Sequence, residues 1–210
     1  MTQPLACFLD PLPLIAVLRG ITPEEIPAVG AALVANGFRI LEVPLNRPGA
    51  LECIATLCEL KLPGALVGGG TMLRVADVDA VHAAGGQLFV SPNCNPAVIA
   101  HAVGLGMLAA PGVATPTEAF AALDAGAHAL KLFPFETIGL GGLKALLSVL
   151  PAGTALWPVG GVTPQSISPG VSAGATGFGI GSQLFRPGVS LAALADAARA
   201  FVAAWSAAAR

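Results

Sequence analysis

The chain has 210 residues, of which 55% are hydrophobic and only 10% charged, so it is long enough to bury a large core and has little charged surface. A net charge of −2 and the lack of a basic cluster argue against a nucleic-acid partner. Segments 80–117 and 145–185 contain no Asp, Glu, Lys or Arg, but prolines interrupt both, so neither predicts a membrane span. We expect one domain over residues 1–210, with part of its surface covered by another copy of the chain.

The N-terminal residues and the cysteines favour the cytoplasm. No Lys or Arg precedes Arg19, so the basic start of a signal peptide is missing. The four cysteines (Cys7, Cys53, Cys58 and Cys94) have no CxxC spacing and lie in apolar segments. Reduced, buried thiols are therefore the expected state.

A repeated unit organises the chain: a helix-like segment ends in glycine, and a short apolar strand follows. The first strand is PLIAVLRG at 13–20, and later strands follow Gly37, Gly64, Gly85, Gly106, Gly126, Gly153 and Gly174, at intervals of 27, 21, 21, 20, 27 and 21 residues. Glycine is the usual residue just after a helix because the chain takes a positive φ there. Thr-Pro pairs at 22–23, 115–116 and 163–164 predict three helix starts.

The strands are continuous apolar runs rather than alternating ones, which indicates parallel strands buried on both faces. Eight strand–helix units in this length predict an α/β fold, a (β/α)8 TIM barrel. A doubly wound open sheet is the alternative that the pattern leaves open.

In such a barrel the active site lies at the carboxyl ends of the strands. The residues at these predicted ends are Arg19, Glu42, Asn46, Thr71, Pro92, Asn93, Lys131, the Gly160-Gly161 pair and the Gly181-Ser182 pair. Arg19 or Glu42 alone would be compatible with a surface charge or an ion pair. Three ionisable groups around one barrel mouth, in a chain with so few charges, favour an active site.

Two glycine pairs follow predicted strands 7 and 8. Backbone N–H groups exposed after these two strands are the common phosphate site of barrel enzymes. Tight turns are the alternative in a chain with 26 glycines. A helix start at Thr163, directly after the first pair, favours phosphate.

No pattern predicts a metal or a cofactor. His82, His101 and His128 are scattered without HxH or HxxxH spacing, and no GxGxxG motif follows a strand in the required register. We expect neither a metal ion nor a bound cofactor.

Lys131 is one of three lysines and lies inside an apolar strand, where an unpaired ammonium group is costly to bury. Without a metal, a lysine facing a glutamate across a barrel mouth is suited to form an imine with a ketone. Only the neutral amine attacks, and apolar neighbours together with Arg19 disfavour the ammonium form.

These motifs resemble the KDPG/KHG class I aldolases, which form trimeric barrels. The matching runs are PLIAVLRGITPEE, NGFRILEVPLN, VGGGTM, FVSPN, PGVATPTEAFAALDAGAHALKLFP, WPVGGVTP and GIGSQLF, in the family's order over nearly the whole chain. The resemblance implies a cofactor-independent lyase acting on a phosphorylated keto acid. By the same resemblance, Lys131 is the Schiff-base lysine and Glu42 the general acid/base. The resemblance also implies substrate-binding roles for Arg19, Thr71 and Pro92 at the pyruvoyl end, Phe133 beside the lysine, and Gly160, Gly161, Gly181 and Ser182 at the phosphate.

Within the family, EVPLN and PVGG are similar to the branch that cleaves 2-dehydro-3-deoxy-6-phosphogalactonate to pyruvate and D-glyceraldehyde 3-phosphate. The 6-phosphogluconate branch more often has arginine at the position of Asn46 and threonine at that of Val159, so we expect Val159 to influence the choice of epimer. Phe135-Glu136 is a departure, since relatives usually carry small residues there.

Other activities remain open at this point. They are the same cleavage of the gluconate epimer or of 4-hydroxy-2-oxoglutarate, a phosphosugar isomerase or epimerase, and a non-catalytic sugar-phosphate sensor. An isomerase needs an acid/base pair but no imine lysine. A sensor needs no desolvated amine, so the presence of both Lys131 and Glu42 argues against it.

Overall fold

The structure, a computed structural model, describes residues 12–209; Cys7 lies outside this range. Strands and helices alternate along it. The strands are β1 (Leu14–Val17), β2 (Ile40–Pro44), β3 (Leu66–Gly70), β4 (Leu88–Val90), β5 (Leu108–Ala110), β6 (Gly112–Val113), β7 (Leu130–Leu132), β8 (Leu156–Pro158) and β9 (Phe178–Ile180). The helices are α1 (Ile26–Ala35), α2 (Ala50–Glu59), α3 (Val75–Ala83), α4 (Pro96–Gly104), α5 (Pro116–Asp124), α6 (Phe135–Leu147), α7 (Pro164–Ser172) and α8 (Leu191–Ala208).

The strands form two parallel sheets. One has six strands in the order β5-β4-β3-β2-β1-β9, and the other has three in the order β6-β7-β8. Every strand pair in both sheets is parallel. The prediction of an α/β fold built on parallel strands is therefore confirmed.

The fifth predicted strand is divided in two by Pro111. Proline has no backbone N–H to donate, so the ladder is interrupted there. The Pro111 carbonyl still accepts a hydrogen bond of 2.9 Å from the Lys131 backbone N–H, and the Phe133 N–H donates to the Val113 carbonyl at 3.1 Å. At the other edge of the smaller sheet, a bridge between Val159 and Gly179 links the end of β8 to β9. In addition, the Ala109 carbonyl of β5 accepts hydrogen bonds of 2.9 and 3.2 Å from the His128 and Ala129 N–H groups that precede β7, so backbone contacts link the two sheets at both places.

Two apolar clusters lie on opposite faces of the strands. The larger one packs the helices against the sheets. The smaller one consists of strand residues: Ile15, Ile40, Leu66, Leu88, Val90, Leu108, Ala110, Ala129 and Trp157. Because strand side chains alternate between faces, residues two or four positions beyond a member of this inner cluster lie on the same inner face.

The repeat found in the sequence has the backbone geometry expected of it. All seven glycines that end the predicted helices have positive φ, between 65° at Gly64 and 102° at Gly174. Thr115 and Thr163 begin α5 and α7 with capping boxes. The prediction at Thr22 differs, because α1 begins only at Ile26, after a turn in which Thr22 and Glu25 exchange hydrogen bonds. The hydrogen-bonded turn at Thr22 and Glu25 thus delays the regular helix by three residues, from Pro23 to Ile26.

Within the described residues one helix, α8, is long and apolar enough to match a membrane span, with a mean hydropathy of 1.3. It carries an ion pair between Asp196 and Arg199. Its buried residues, Leu194, Ala198 and Phe201, belong to the larger apolar cluster. A helix packed on a sheet passes the same test of length and composition, so this match is weak evidence for membrane contact.

Candidate active site

The inner face of the strands carries the charged residues that the sequence singled out. Ile40, Ala129 and Trp157 belong to the inner cluster. Two positions further along the same strands or their ends lie Glu42, Lys131 and Val159, and the period of two places them on the same face. All the strands are parallel, so these residues lie toward one end of the sheets.

Glu42 and Lys131 are the ionisable side chains that the fold buries. Among residues 12–209, the buried polar or charged residues are Glu42, Ser91 and Lys131, with 2%, 2% and 6% of their surface exposed. The Ser91 hydroxyl donates to the Asn93 carbonyl at 2.6 Å. In the same part of the chain neither Glu42 nor Lys131 has an ion-pair partner within 4.0 Å. A buried, unpaired acid and base at one end of the strands are available for chemistry rather than for stability.

Lys131 lies over an aromatic ring. Its Nζ is 5.1 Å from the centroid of the Phe133 ring, within the range of a cation–π contact. Lys131 is paired with Gly112 on β6 and with Trp157 on β8. The amine is therefore held by a ring and by backbone-paired strands rather than by a counter-ion.

Glu42 owes its place to a glycine. Gly70, at the end of the neighbouring strand β3, has its Cα against the Glu42 carboxyl group, and a Cβ on Gly70 would collide with Oε1 of Glu42. The next residue, Thr71, has a φ of 57°. A β-branched residue with positive φ is a strained conformation, of the kind that clusters at functional sites. Thr71 is half-buried directly after β3.

A cavity of about 200 Å³ opens at this end of the strands. It brings together eight of the predicted site residues: Arg19, Lys131, Phe133, Val159, Gly160, Gly161, Gly181 and Ser182. Glu42, Thr71 and Pro92 are not among its lining residues; Pro92 is half-buried and packs against Gly112. The structure thus gathers the lysine, the arginine and the glycine pairs in one cavity, with Glu42 and Thr71 on neighbouring strands.

The first glycine pair has a backbone that other residues rarely adopt. Gly160 and Gly161 have φ values of 111° and 64°, and only glycine takes two such values without strain. In residues 12–209 no backbone carbonyl accepts a hydrogen bond from the N–H groups of Gly161 or Ser182. Unpaired N–H groups next to the start of α7 form a concave site suited to an anion.

Two cavity-lining residues, Glu136 and Arg47, were not among the predicted site residues. Glu136 lines the same cavity and lies against Gly160 and Gly161. Arg19 also lines a second cavity of about 470 Å³, which it shares with Arg47. The sequence marked Glu136 only as a departure from relatives, and Arg47 follows Asn46 without a motif, so neither position was predictable without the fold.

The surroundings of His101, His128 and Cys53 favour structural rather than catalytic roles. His101 Nε2 lies 2.7 Å from Asp79 Oδ1, and the Ala109 N–H donates to Nδ1 of His128 at 3.1 Å. Burial lowers the pKa of His128, which favours its neutral form. Burial also raises the pKa of the Cys53 thiol to about 11, so it is a poor nucleophile at neutral pH. Across residues 12–209 no three His, Cys, Asp or Glu side chains group as metal ligands.

The chain is similar to known proteins of one family. The family model for KDPG and KHG aldolase matches residues 7–197. The chain is 47% identical to the 2-dehydro-3-deoxy-6-phosphogalactonate aldolase of Escherichia coli (strain K12), over 92% of this chain and 95% of that one.

Two solved structures are similar at 46% identity and a TM-score of 0.93. One is described as "Native KDPGal structure", with 95% of this chain and 97% of that one covered. The other is a cube-shaped protein cage designed by fusing symmetric oligomeric domains, with 95% and 74% covered. With a family model spanning most of its length and a relative this similar, the chain belongs to the KDPG and KHG aldolase family.

Proposed function

We propose that this protein is a class I aldolase that cleaves 2-dehydro-3-deoxy-6-phosphogalactonate to pyruvate and D-glyceraldehyde 3-phosphate. The observation that carries the proposal is the burial of Lys131 and Glu42, without ion-pair partners in the described residues, on one face and toward one end of parallel strands. The galactonate substrate is supported by the 47% identity to an enzyme of that name.

Lys131 is the nucleophile in this mechanism. Its neutral amine attacks C2 of the keto acid, and the carbinolamine loses water to give a protonated imine. The apolar strand and the Phe133 ring exclude water from the amine, and Arg19 lines the same cavity. The imine then withdraws electrons from the C3–C4 bond.

Glu42 is the acid/base group. It removes the proton of the C4 hydroxyl while the C3–C4 bond breaks, which releases the aldehyde and leaves an enamine on Lys131. Protonation of the enamine at C3 and hydrolysis of the imine then release pyruvate. One carboxyl group, acting directly or through a water, serves both proton transfers because the proton it accepts is the one it returns.

The two charged ends of the substrate have separate anchors. Arg19 lines the cavity beside Lys131 and is suited to the C1 carboxylate, with Thr71 and Pro92 completing the pyruvoyl end. The unpaired N–H groups of Gly161 and Ser182, with Gly160 beside them, are suited to the phosphate. Gly181 lies between β9 and Ser182 and leaves the approach to those N–H groups open.

We further propose that residues 1–210 form one domain, a closed (β/α)8 barrel, in which β5 and β6 act as one strand. Support comes from the inner cluster, to which nearly every strand contributes, and from the contacts at Ala109 and Val159 that link the two sheets. The free thiols of Cys53, Cys58 and Cys94 support a cytoplasmic location.

The imine is tested directly by trapping. With pyruvate and borohydride, Lys131 gains mass irreversibly and activity is lost, because reduction turns the imine into a stable amine. Lys131→Ala shows neither label nor turnover, and peptide mass mapping identifies the labelled residue. Label on Lys61 or Lys144 would contradict the assignment. EDTA leaves turnover unchanged if no metal takes part.

Replacing Glu42 separates proton transfer from imine formation. Glu42→Gln removes the acid/base group with little change in size, so trapping with pyruvate persists while kcat falls roughly 10²- to 10⁴-fold. Steady-state kinetics and trapping on the same preparation measure both. Near-native turnover would mean that another group moves the protons.

The choice between C4 epimers depends on the middle of the cavity, because both epimers share the two charged ends. Val159 lies between the end of β8 and Gly160 and lines the cavity. Valine makes no hydrogen bond there, whereas a nearly isosteric threonine does, and a lost or misdirected hydrogen bond costs about 1–3 kcal/mol, or roughly 5- to 150-fold in a rate ratio. We expect the wild type to prefer the galactonate epimer and Val159→Thr to shift kcat/KM toward the gluconate epimer. An unchanged ratio would move the discrimination to Asn46 or to the Phe135 loop.

A homotrimer is the proposed assembly. With 10% charged residues the surface is poor in charge, and a set of large apolar side chains is exposed: Leu51, Leu60, Leu73, Val75, Phe120, Leu140, Val149 and Leu191. Some of this surface is expected to be covered by other subunits. Sedimentation equilibrium or light scattering is expected to give about three times the chain mass of 20.8 kDa. A monomer at micromolar concentration would contradict this assembly.

A further inference from the structure

Glu136 lies at the edge of the glycine pair assigned to the phosphate. The first N–H of α6, from Phe135, donates to the Val159 carbonyl at 2.9 Å, and this bond places the next residue beside Gly160. A Cβ on Gly160 would collide with Oε2 of Glu136, and one on Gly161 would be 3.2 Å from the Glu136 Cβ. The Glu136 carboxyl group therefore occupies space at the glycines themselves.

This carboxyl group has no fixed partner. Among residues 12–209 it forms no ion pair, and no side-chain hydrogen bond involves it. Glu136 is exposed and belongs to the first turn of α6. An exposed side chain without a partner can rotate toward solvent, so the space it occupies is available to a ligand that displaces it.

A phosphate bound at Gly160 and Gly161 would meet this carboxylate as a like charge. Like charges a few ångströms apart repel strongly where protein surrounds them and weakly once one of them faces water. Binding of a phosphate is therefore coupled to an outward rotation of Glu136, and that rotation lowers the affinity of any phosphate-bearing ligand.

The phosphate cradle consists of two loop segments, Gly160-Gly161 after β8 and Gly181-Ser182 after β9. We propose that Glu136 is a counter-anion of this cradle. Its carboxylate stands at the cradle and must turn away before a phosphate monoester binds. Inorganic phosphate and the substrate lose the same factor in affinity, but the substrate is also held by the imine at Lys131 and the contact with Arg19. Glu136 thus raises the concentration of inorganic phosphate that is needed to occupy the cradle. This inference rests on the proposed function.

The test compares charge-removing and charge-retaining variants. Glu136→Gln and Glu136→Ala lower the inhibition constant of inorganic phosphate about 3- to 10-fold, and the KM for the phosphorylated substrate falls with it. Glu136→Asp keeps the charge and stays near the wild-type values. The difference between wild type and Glu136→Gln shrinks at high ionic strength because salt screens the repulsion. The matched control is Glu59→Gln, an exposed glutamate at the end of α2, which changes neither constant.

Condensation of pyruvate with unphosphorylated D-glyceraldehyde distinguishes failure of the Glu136 proposal from failure of the proposed function. The change in its kcat/KM from wild type to Glu136→Gln is expected to be smaller than the change measured with the phosphorylated aldehyde, because no phosphate enters the cradle. If the wild type prefers the phosphorylated aldehyde but all Glu136 variants keep its phosphate inhibition constant, the role of Glu136 is refuted and the proposed function stands. If the wild type shows no preference for the phosphorylated aldehyde, both the phosphate site at the cradle and the role of Glu136 are refuted. Equal shifts in Gln and Asp variants would also refute a role for the charge.

Discussion

The arrangement of the active site depends on burying two ionisable side chains in an interior made almost wholly of apolar strands. Removing an ion from water costs several kcal/mol even after the protein relaxes, and neither Glu42 nor Lys131 recovers that cost from an ion pair within the described residues. Lys131 recovers part of it from the Phe133 ring. The rest of the fold must supply the stability that offsets the remaining cost.

The packing of apolar helices and strands supplies that stability, and glycines leave space for two carboxyl groups. Gly70 has no side chain where the Glu42 carboxyl group lies, and Gly160 has none where Glu136 lies. In both places a glycine at or just after the end of a strand leaves space for a carboxyl group. Glu42 is buried, whereas Glu136 is at the surface and lines the cavity that Arg19 and Lys131 share.

The features that the sequence predicted well are local in origin. The glycines after the helices all have positive φ because that conformation is decided by the residue and its immediate neighbours. The capping boxes at Thr115 and Thr163 likewise need only four consecutive residues. The early helix start expected at Thr22 was wrong. Thr22 and Glu25 exchange hydrogen bonds in a turn there, and the composition of the segment does not show whether such a turn or a helix is more stable.

By itself the sequence determined the succession of strands and helices, their parallel character and the position of Lys131 in an apolar strand. It determined these because each depends on spacing and composition along the chain. Only the tertiary structure decided that Pro111 divides a strand, that Glu136 stands against Gly160, and that Arg19 and Lys131 line one cavity while Glu42 lies against Gly70. These facts join residues up to 112 positions apart, from Arg19 to Lys131. Contacts of that kind are set by how strands pair and how side chains fill the space between them, which no short segment specifies.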